Sequence, residues 1–312
     1  MTHLIADIGA TNARFALVHN GKIGSVEVLP CADYPTLEDA ARRYLEKAQA
    51  KPETGVFAVA TALDGSDRVA MTNHPWAFSI RTLAQAIGLK HLKVINDFEA
   101  IAHAVPFLGK EDYYQVDSGT PEKNMPIAII GPGSGLGAAG IVFARDGMPI
   151  IVPTEGGHVT MPATTPREFA LFEFLKFAKY SHISAERIIS GKGLANLYLA
   201  ICGVDNTPLP ERTPAEIAAT AMSKTCPVCV EALDLFCHFL GVVAGNQALT
   251  LGAKGGVYIA GGIVPQLSVH FALSRFRESF LSKGRFRAYL ENIPTRVITH
   301  PYPALAGLKS LA

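Results

Sequence analysis

In the stretch 126-PIAIIGPGSGLGAAGIVFAR-145 the run from Ile127 to Ala144 carries no charge and is just long enough to pass for a membrane span. Its glycines decide otherwise. Gly131, Gly133, Gly135, Gly137 and Gly140, with Pro132, break a helix into strand, loop and strand. The same order occurs at the amino terminus, where the apolar run 3-HLIADIG-9 enters the turn of 6-ADIGATNARFAL-17 and leaves as a second strand over Ala13 to Val18. Two strand-loop-strand units predict a duplicated architecture with a cleft between halves.

Working outward, His19-Asn20-Gly21-Lys22 holds the Asn-Gly pair that most strongly signals a hairpin, and Val26 to Leu29 follows as a third strand. Thr36 to Ala48 has helical spacing behind a Thr N-cap. Gly55–Thr61, Arg68–Thr72 and Leu92–Ile95 read as strands, and Ser79–Ile87 as a helix. Residues 166–250 read as helix-rich, and Gly256–Ala260 as a late strand. Antiparallel strands followed by strands alternating with helices imply an α/β chain with a mixed, helix-covered sheet in each half. No low-complexity linker separates the halves, so a hinge is expected between them.

The composition narrows the function. Lys+Arg of 28 against Asp+Glu of 27 gives a net charge of +1, which leaves no electrostatic footprint for nucleic acid or an anionic membrane. With 49% hydrophobic residues in 312, a large core is easily filled. The first residues read directly as a strand and lack a signal-peptide pattern, so a cytoplasmic protein is expected. Cysteines 31, 202, 226, 229 and 237 are odd in number, as for reduced thiols. Cys226-Pro-Val-Cys229 has zinc-like spacing, but no second pair is evident, with Cys237-His238 the remaining candidate ligands.

Several residues could carry chemistry. In 92-LKVINDFEAIAH-103 an apolar strand ends in Asn96-Asp97, either a helix N-cap or a carboxylate at the strand end where ligands of α/β sheets bind. In the first turn, Gly9, Thr11 and Asn12 offer amides and a hydroxyl to a phosphate, with Asp7 placed to hold a metal. The loop 131-GPGSGLGAAG-140 lets backbone approach a ligand, and without a lysine it is no P-loop. Glu155, His158 and Glu186 provide acceptors and a switchable donor suited to the hydroxyls of a polyol, although Glu186 also reads as first-turn helix charge. Gly261-Gly262 leaves flat backbone against which a purine could lie. Phe169, Phe172, Phe174 and Phe177 read as core.

Together 6-ADIGATNARFAL-17, 69-VAMTNHPWAFSI-80, 94-VINDFEA-100, 131-GPGSGLG-137, 155-EGGHV-159, 184-SAERIISGKGL-194, 255-GGVYIAGGIVP-265 and a terminal helix at Ala304 to Leu311 resemble the bacterial glucokinases. The resemblance implies a two-domain actin-like ATPase (ribonuclease H-like) fold, with 1–106 plus 299–312 as the small domain and 107–298 as the large one. It implies Asp97 as general base, with Asn96, Glu155, His158 and Glu186 holding D-glucose. It further implies that Ala6, Asp7, Ile8, Gly9, Ala10, Thr11 and Asn12, with Gly131, Gly133, Ser134 and Gly135, meet the phosphates of ATP. Gly261 and Gly262 would face adenine, Asp7 would meet Mg2+, and the enzyme would be a homodimer. Ala6 and Ala10 stand where glycine is expected, and Thr160 where an acidic residue is common. The zinc signature and DNA-binding head of the related repressor-type sugar kinases are missing. A kinase for fructose or mannose and a non-catalytic sugar sensor are the alternatives.

Overall fold

The computed structural model describes residues 2–312, which divide into two compact units. Unit 1 comprises residues up to Gly109 together with His300–Ala312, and unit 2 comprises Lys110–Thr299.

Unit 1 is built on a six-stranded mixed sheet. Strands β1 (Thr2–Ile8), β2 (Asn12–His19), β3 (Lys22–Ile23) and β4 (Glu27–Pro30) form the antiparallel part. The β2–β3 turn places Asn20 at φ 50° and Gly21 at φ 71°, as a tight hairpin requires. Helix α1 (Leu37–Ala48) follows, its N-cap Thr36 locked to Asp39 in a reciprocal capping box. β5 (Thr54–Val59) runs parallel to β1; the small ribbon β6 (Arg68–Ala70) and β7 (Ala77–Ser79) leads to α2 (Ile80–Ala86), and β8 (His91–Asn96) runs parallel to β5. The strand order is β3-β2-β1-β5-β8, with β4 on β2. Helix α3 (Asp97–Ala104) leaves β8 and packs on the carboxy-terminal helix Pro303–Leu308, where a Cβ on Gly307 would lie 1.8 Å from the Ala100 carbonyl. That approach requires glycine.

Unit 2 repeats the plan. Its strands are β9 (Tyr113–Gln115), β10 (Ile127–Pro132), β11 (Leu136–Phe143), β12 (Pro149–Thr154), β13 (Gly256–Ile259) and β14 (Thr295–Ile298), in the order β12-β11-β10-β13-β14-β9. β10, β13 and β14 are mutually parallel and the outer pairings antiparallel, so the first five positions match unit 1 in order and direction. The uncharged run from Ile127 to Ala144 is the β10–β11 hairpin, tightened to Gly133-Ser134-Gly135 because Pro132 pairs with Leu136. Helices α4 (Pro166–Ala178), α5 (Ala185–Ile188), α6 (Gly191–Asp205), α7 (Pro214–Met222), α8 (Pro227–Leu251), α9 (Ile263–Ala272), α10 (Phe276–Leu281) and α11 (Arg287–Glu291) complete it. Among the described residues α8 is the helix long and apolar enough to cross a membrane, but 72% of its apolar window is buried in the protein and it forms the centre of the core of unit 2.

The phenylalanine reading needs correction. Helix α4 buries Glu168, Leu171, Phe172 and Leu175, one face at helical spacing, and Phe174 presses on Gly203. Phe169 and Phe177 lie on the other face, 57% and 94% exposed.

Candidate active site

In unit 1 the parallel register aligns Ile8, Val59 and Asn96 across β1, β5 and β8. The chain leaves these strand ends as the Gly9 turn, as Ala60-Thr61 and as Asp97. Two strand spacings put the Asp97 backbone about 10 Å from the Gly9 turn. Asn96 is the cap of α3: its Oδ1 accepts from the amides of Phe98 (2.8 Å) and Glu99 (3.3 Å), and its Nδ2 donates to the Thr61 carbonyl (3.1 Å). Asn96 therefore fixes the first turn of α3, and its amide group has a second N–H hydrogen not used in that bond. Asp97 is the first helical residue, half-buried, with Oδ1 accepting from the Phe98 amide at 2.9 Å. The question of cap or chemistry thus divides between two neighbours, the amide capping and the carboxylate standing one position further on.

The first turn is braced. Gly9 N–H donates to Asn12 O (3.0 Å), Cys31 N–H to Thr11 O (2.8 Å) and Cys31 Sγ to Gly9 O (3.5 Å). Ala10, Thr11 and Asn12 lie at the surface of this turn. Ala6 and Ile8, expected among the nucleotide contacts, are fully buried; they belong to the core and shape the strand without presenting surface. Asp7 is paired in register with Arg14, whose Nη1 donates to Asp7 Oδ2 at 3.1 Å. Burial pushes the Asp7 carboxyl up, and the Arg14 charge and hydrogen bond oppose this only in part. Arg14 went unnoticed in the sequence, although a tight turn between the strands sets Asp7 opposite it.

In unit 2 the site residues gather around the β10–β11 loop. Glu186 Oε2 accepts from the Leu136 amide (3.0 Å), and a Cβ on Gly135 would come within 2.4 Å of that oxygen. The expectation of a solvated first-turn charge fails for Glu186, which holds the loop. Gly191 N–H, in the first turn of α6, donates to Gly133 O (2.9 Å), bringing the start of this helix beside the loop. Such a helix start suits an anion. A Cβ on Gly157 would meet the Leu136 carbonyl at 1.9 Å, so glycine alone lets the 156–158 turn sit there and carry Glu155 and His158. Those two side chains are exposed, with His158 Nε2 3.9 Å from Glu155 Oε2, and His158 also lines a polar pocket with Lys179, Tyr180, His182 and Arg187.

Gly261 has φ +84°, and a Cβ there would strike the Pro132 carbonyl at 2.3 Å; Gly262 opens α9 with nothing within 4 Å of a Cβ. Gly133, Ser134 and Gly135 form the loop, whereas Gly131 is buried in β10 and paired with Gly137, which removes it from the surface the sequence assigned to it. Thr160, at the position where an acid was expected, bonds His182 Nε2 at 3.0 Å.

Among the described residues no group of three or more His, Cys, Asp or Glu could hold a metal. A single carboxylate already bonded to Arg14 does not make a resident metal centre.

The glucokinase family model matches residues 4–312. Glucokinase of Paramagnetospirillum magneticum is 46% identical over 99% of this chain and 96% of its own length. The crystal structure of glucokinase from an Antarctic psychrotroph superposes with TM-score 0.85 at 35% identity, covering 99% of this chain and 98% of that one. Glucokinase from Balamuthia mandrillaris in complex with glucose shares the fold at TM-score 0.84 and 21% identity, covering 100% and 93%.

Proposed function

The chain belongs to the glucokinase family, and we propose on that premise that it transfers the γ-phosphoryl group of ATP to the 6-hydroxyl of D-glucose, with Asp97 as general base. The observation that carries the assignment of the base is the division of labour at the end of β8. Asn96 caps α3 through the Phe98 and Glu99 amides, and the carboxylate of Asp97 stands next to it, half-buried at the strand end where ligands of such sheets bind. In the reaction Asp97 accepts the proton of the 6-hydroxyl as that oxygen bonds to the γ-phosphorus, and the bond from phosphorus to the bridging oxygen breaks to release ADP. Asn96, Glu155, His158 and Glu186 hold and orient the sugar. Ala10, Thr11 and Asn12, the Gly133–Gly135 loop and the start of α6 offer donors to phosphate oxygens. Mg2+ held on the ATP phosphates and by Asp7 would neutralise phosphoryl charge. Gly262, open at the start of α9, gives adenine a flat surface.

A homodimer in the cytoplasm belongs to the same reading. The exposed Phe169 and Phe177 support association of two copies, and five free cysteines suit a reducing compartment.

The test is ADP release with Mg-ATP and each of glucose, fructose and mannose, with the product identified. The expected result is glucose 6-phosphate and the highest kcat/KM for glucose. A higher kcat/KM for fructose or mannose would reassign the substrate, and glucose binding without product would make the chain a sensor.

A further inference from the structure

Cys226-Pro227-Val228-Cys229 opens α8 and plays no part in the phosphoryl transfer. The zinc alternative for this spacing lacks partners: no metal-holding cluster forms among the described residues. His238, a ligand that could have completed it, has Nδ1 2.7 Å from Ser279 Oγ, and Cys237 is fully buried.

The two thiols are placed unequally. Cys226 is the N-cap residue and reaches the surface; Cys229, three positions on in the first turn, is fully buried below it. A three-residue separation puts both side chains on one face of the helix, at its positive end. Arg212 stands beside them. Its Nη1 donates to Thr220 Oγ1 (3.3 Å), its buried Nε has no hydrogen-bond partner among the described residues, and its charge acts on both sulfurs.

Cys226 makes no cap hydrogen bond of regular geometry, yet its thiol is held below the ordinary range. The nearby Cys229 N–H is the main cause, with the Cys229 thiol, the Val228 N–H and Arg212 adding to it against burial. The Cys229 thiol is pushed up to about 11, first by burial and then by Cys226. A partly exposed, acidified thiol above a buried, protonated one is the arrangement in which the first attacks and the second resolves.

We propose that Cys226 and Cys229 form a redox-active dithiol that exchanges with low-molecular-weight disulfides. The Cys226 thiolate attacks one sulfur of the small disulfide, forming a mixed disulfide and expelling one small thiolate, which takes a proton. Cys229 then loses its proton and attacks the Cys226 sulfur, closing the protein disulfide and expelling the second thiolate. The protein loses two electrons and two protons, and the small disulfide is reduced to two thiols.

The experiment treats the folded protein with oxidised glutathione at mildly alkaline pH and maps disulfides by peptide mass spectrometry. Expected is a Cys226–Cys229 disulfide, two hydrogens lighter than the dithiol and reversed by dithiothreitol. Cys229→Ser, with Cys229→Ala in case serine unsettles the buried site, should trap glutathione on Cys226, and Cys226→Ser should abolish both products. Wild type with all five thiols intact would overturn the proposal. So would glutathione left unresolved on wild-type Cys226, or a reaction unchanged by Cys226→Ser.

Discussion

Each unit aligns three residues across its parallel strands, Ile8, Val59 and Asn96 in unit 1, where all three end their strands, and Ile130, Ile259 and Val297 in unit 2. The residue that follows differs. In unit 1 it is Asp97, half-buried at the start of a helix; in unit 2 it is Ile298, buried and still within β14. The first hairpin turns differ too, Gly9-Ala10-Thr11 braced by Cys31 and Gly133-Ser134-Gly135 braced by Glu186 and the start of α6. One topology therefore carries two kinds of surface, and the chemistry follows the side chains at the strand ends rather than the sheet.

The units also differ at their parallel edge. Unit 2 adds β9, and just beyond it Asp117 Oδ2 accepts from the Thr295 amide (2.9 Å) and hydroxyl and pairs with Arg277 at 3.0 Å. Both charged side chains are largely buried, and Arg277 also donates to the carbonyls of Leu290, Glu291 and Ile293. Removing one member of a buried pair strands the other, so Asp117→Ala should cost about 3–5 kcal/mol by denaturant unfolding. Hydrogen exchange should rise in β14 and stay unchanged in β8. Equal loss of protection in both would break the distinction between the edges.

A smaller effect separates the turns. Gly157→Ala drives a Cβ into the Leu136 carbonyl and should cost about 1–3 kcal/mol while raising the KM for glucose. Gly9→Ala meets only Asn12 O at an ordinary 3.4 Å and should cost less than about 1 kcal/mol. Thermal unfolding of the two variants side by side checks the order. Asn96→Ala removes the cap of α3 and should cost about 1 kcal/mol, whereas Asp97→Asn should leave unfolding nearly unchanged.

The units should also answer pH in opposite senses. His238 in unit 2 lies with Nε2 3.3 Å from Glu168 Oε1. Burial lowers its pKa below the ordinary 6.5, helped by Arg275 and opposed by Glu168 and Asp234. Between the folded and unfolded values the unfolded chain binds more protons, so this part of the stability is complete above about pH 6.5 and falls as the pH drops. Asp7 in unit 1 is raised above 3.8, so there the folded state takes the proton first and gains stability as the pH falls through its folded value. Melting temperature against pH for His238→Gln and Asp7→Asn, each against wild type, should show differences of opposite slope.

Much of this was legible in local sequence. Asn20-Gly21 announces its hairpin, Thr36 the start of α1, and the glycines of 131–140 the break in an otherwise membrane-like run. Contacts distant along the chain were not. Nothing near Asp117 points to Arg277 or Thr295, nothing in 184–194 says that Glu186 will hold the Leu136 amide, and only the register reveals that Arg14 faces Asp7. The burial of Ala6, Ile8 and Gly131 was hidden for the same reason, since neighbouring strands and helices cover them.

Turnover and glucose binding measured together on Asp97→Asn test the central claim most directly, because Asn96 keeps the helix capped while the carboxylate is removed. The account predicts glucose binding close to wild type by calorimetry and kcat lower by about 10²–10⁴. Wild-type turnover in this variant would contradict it and leave the strand end of unit 1 with no more chemistry than its counterpart in unit 2.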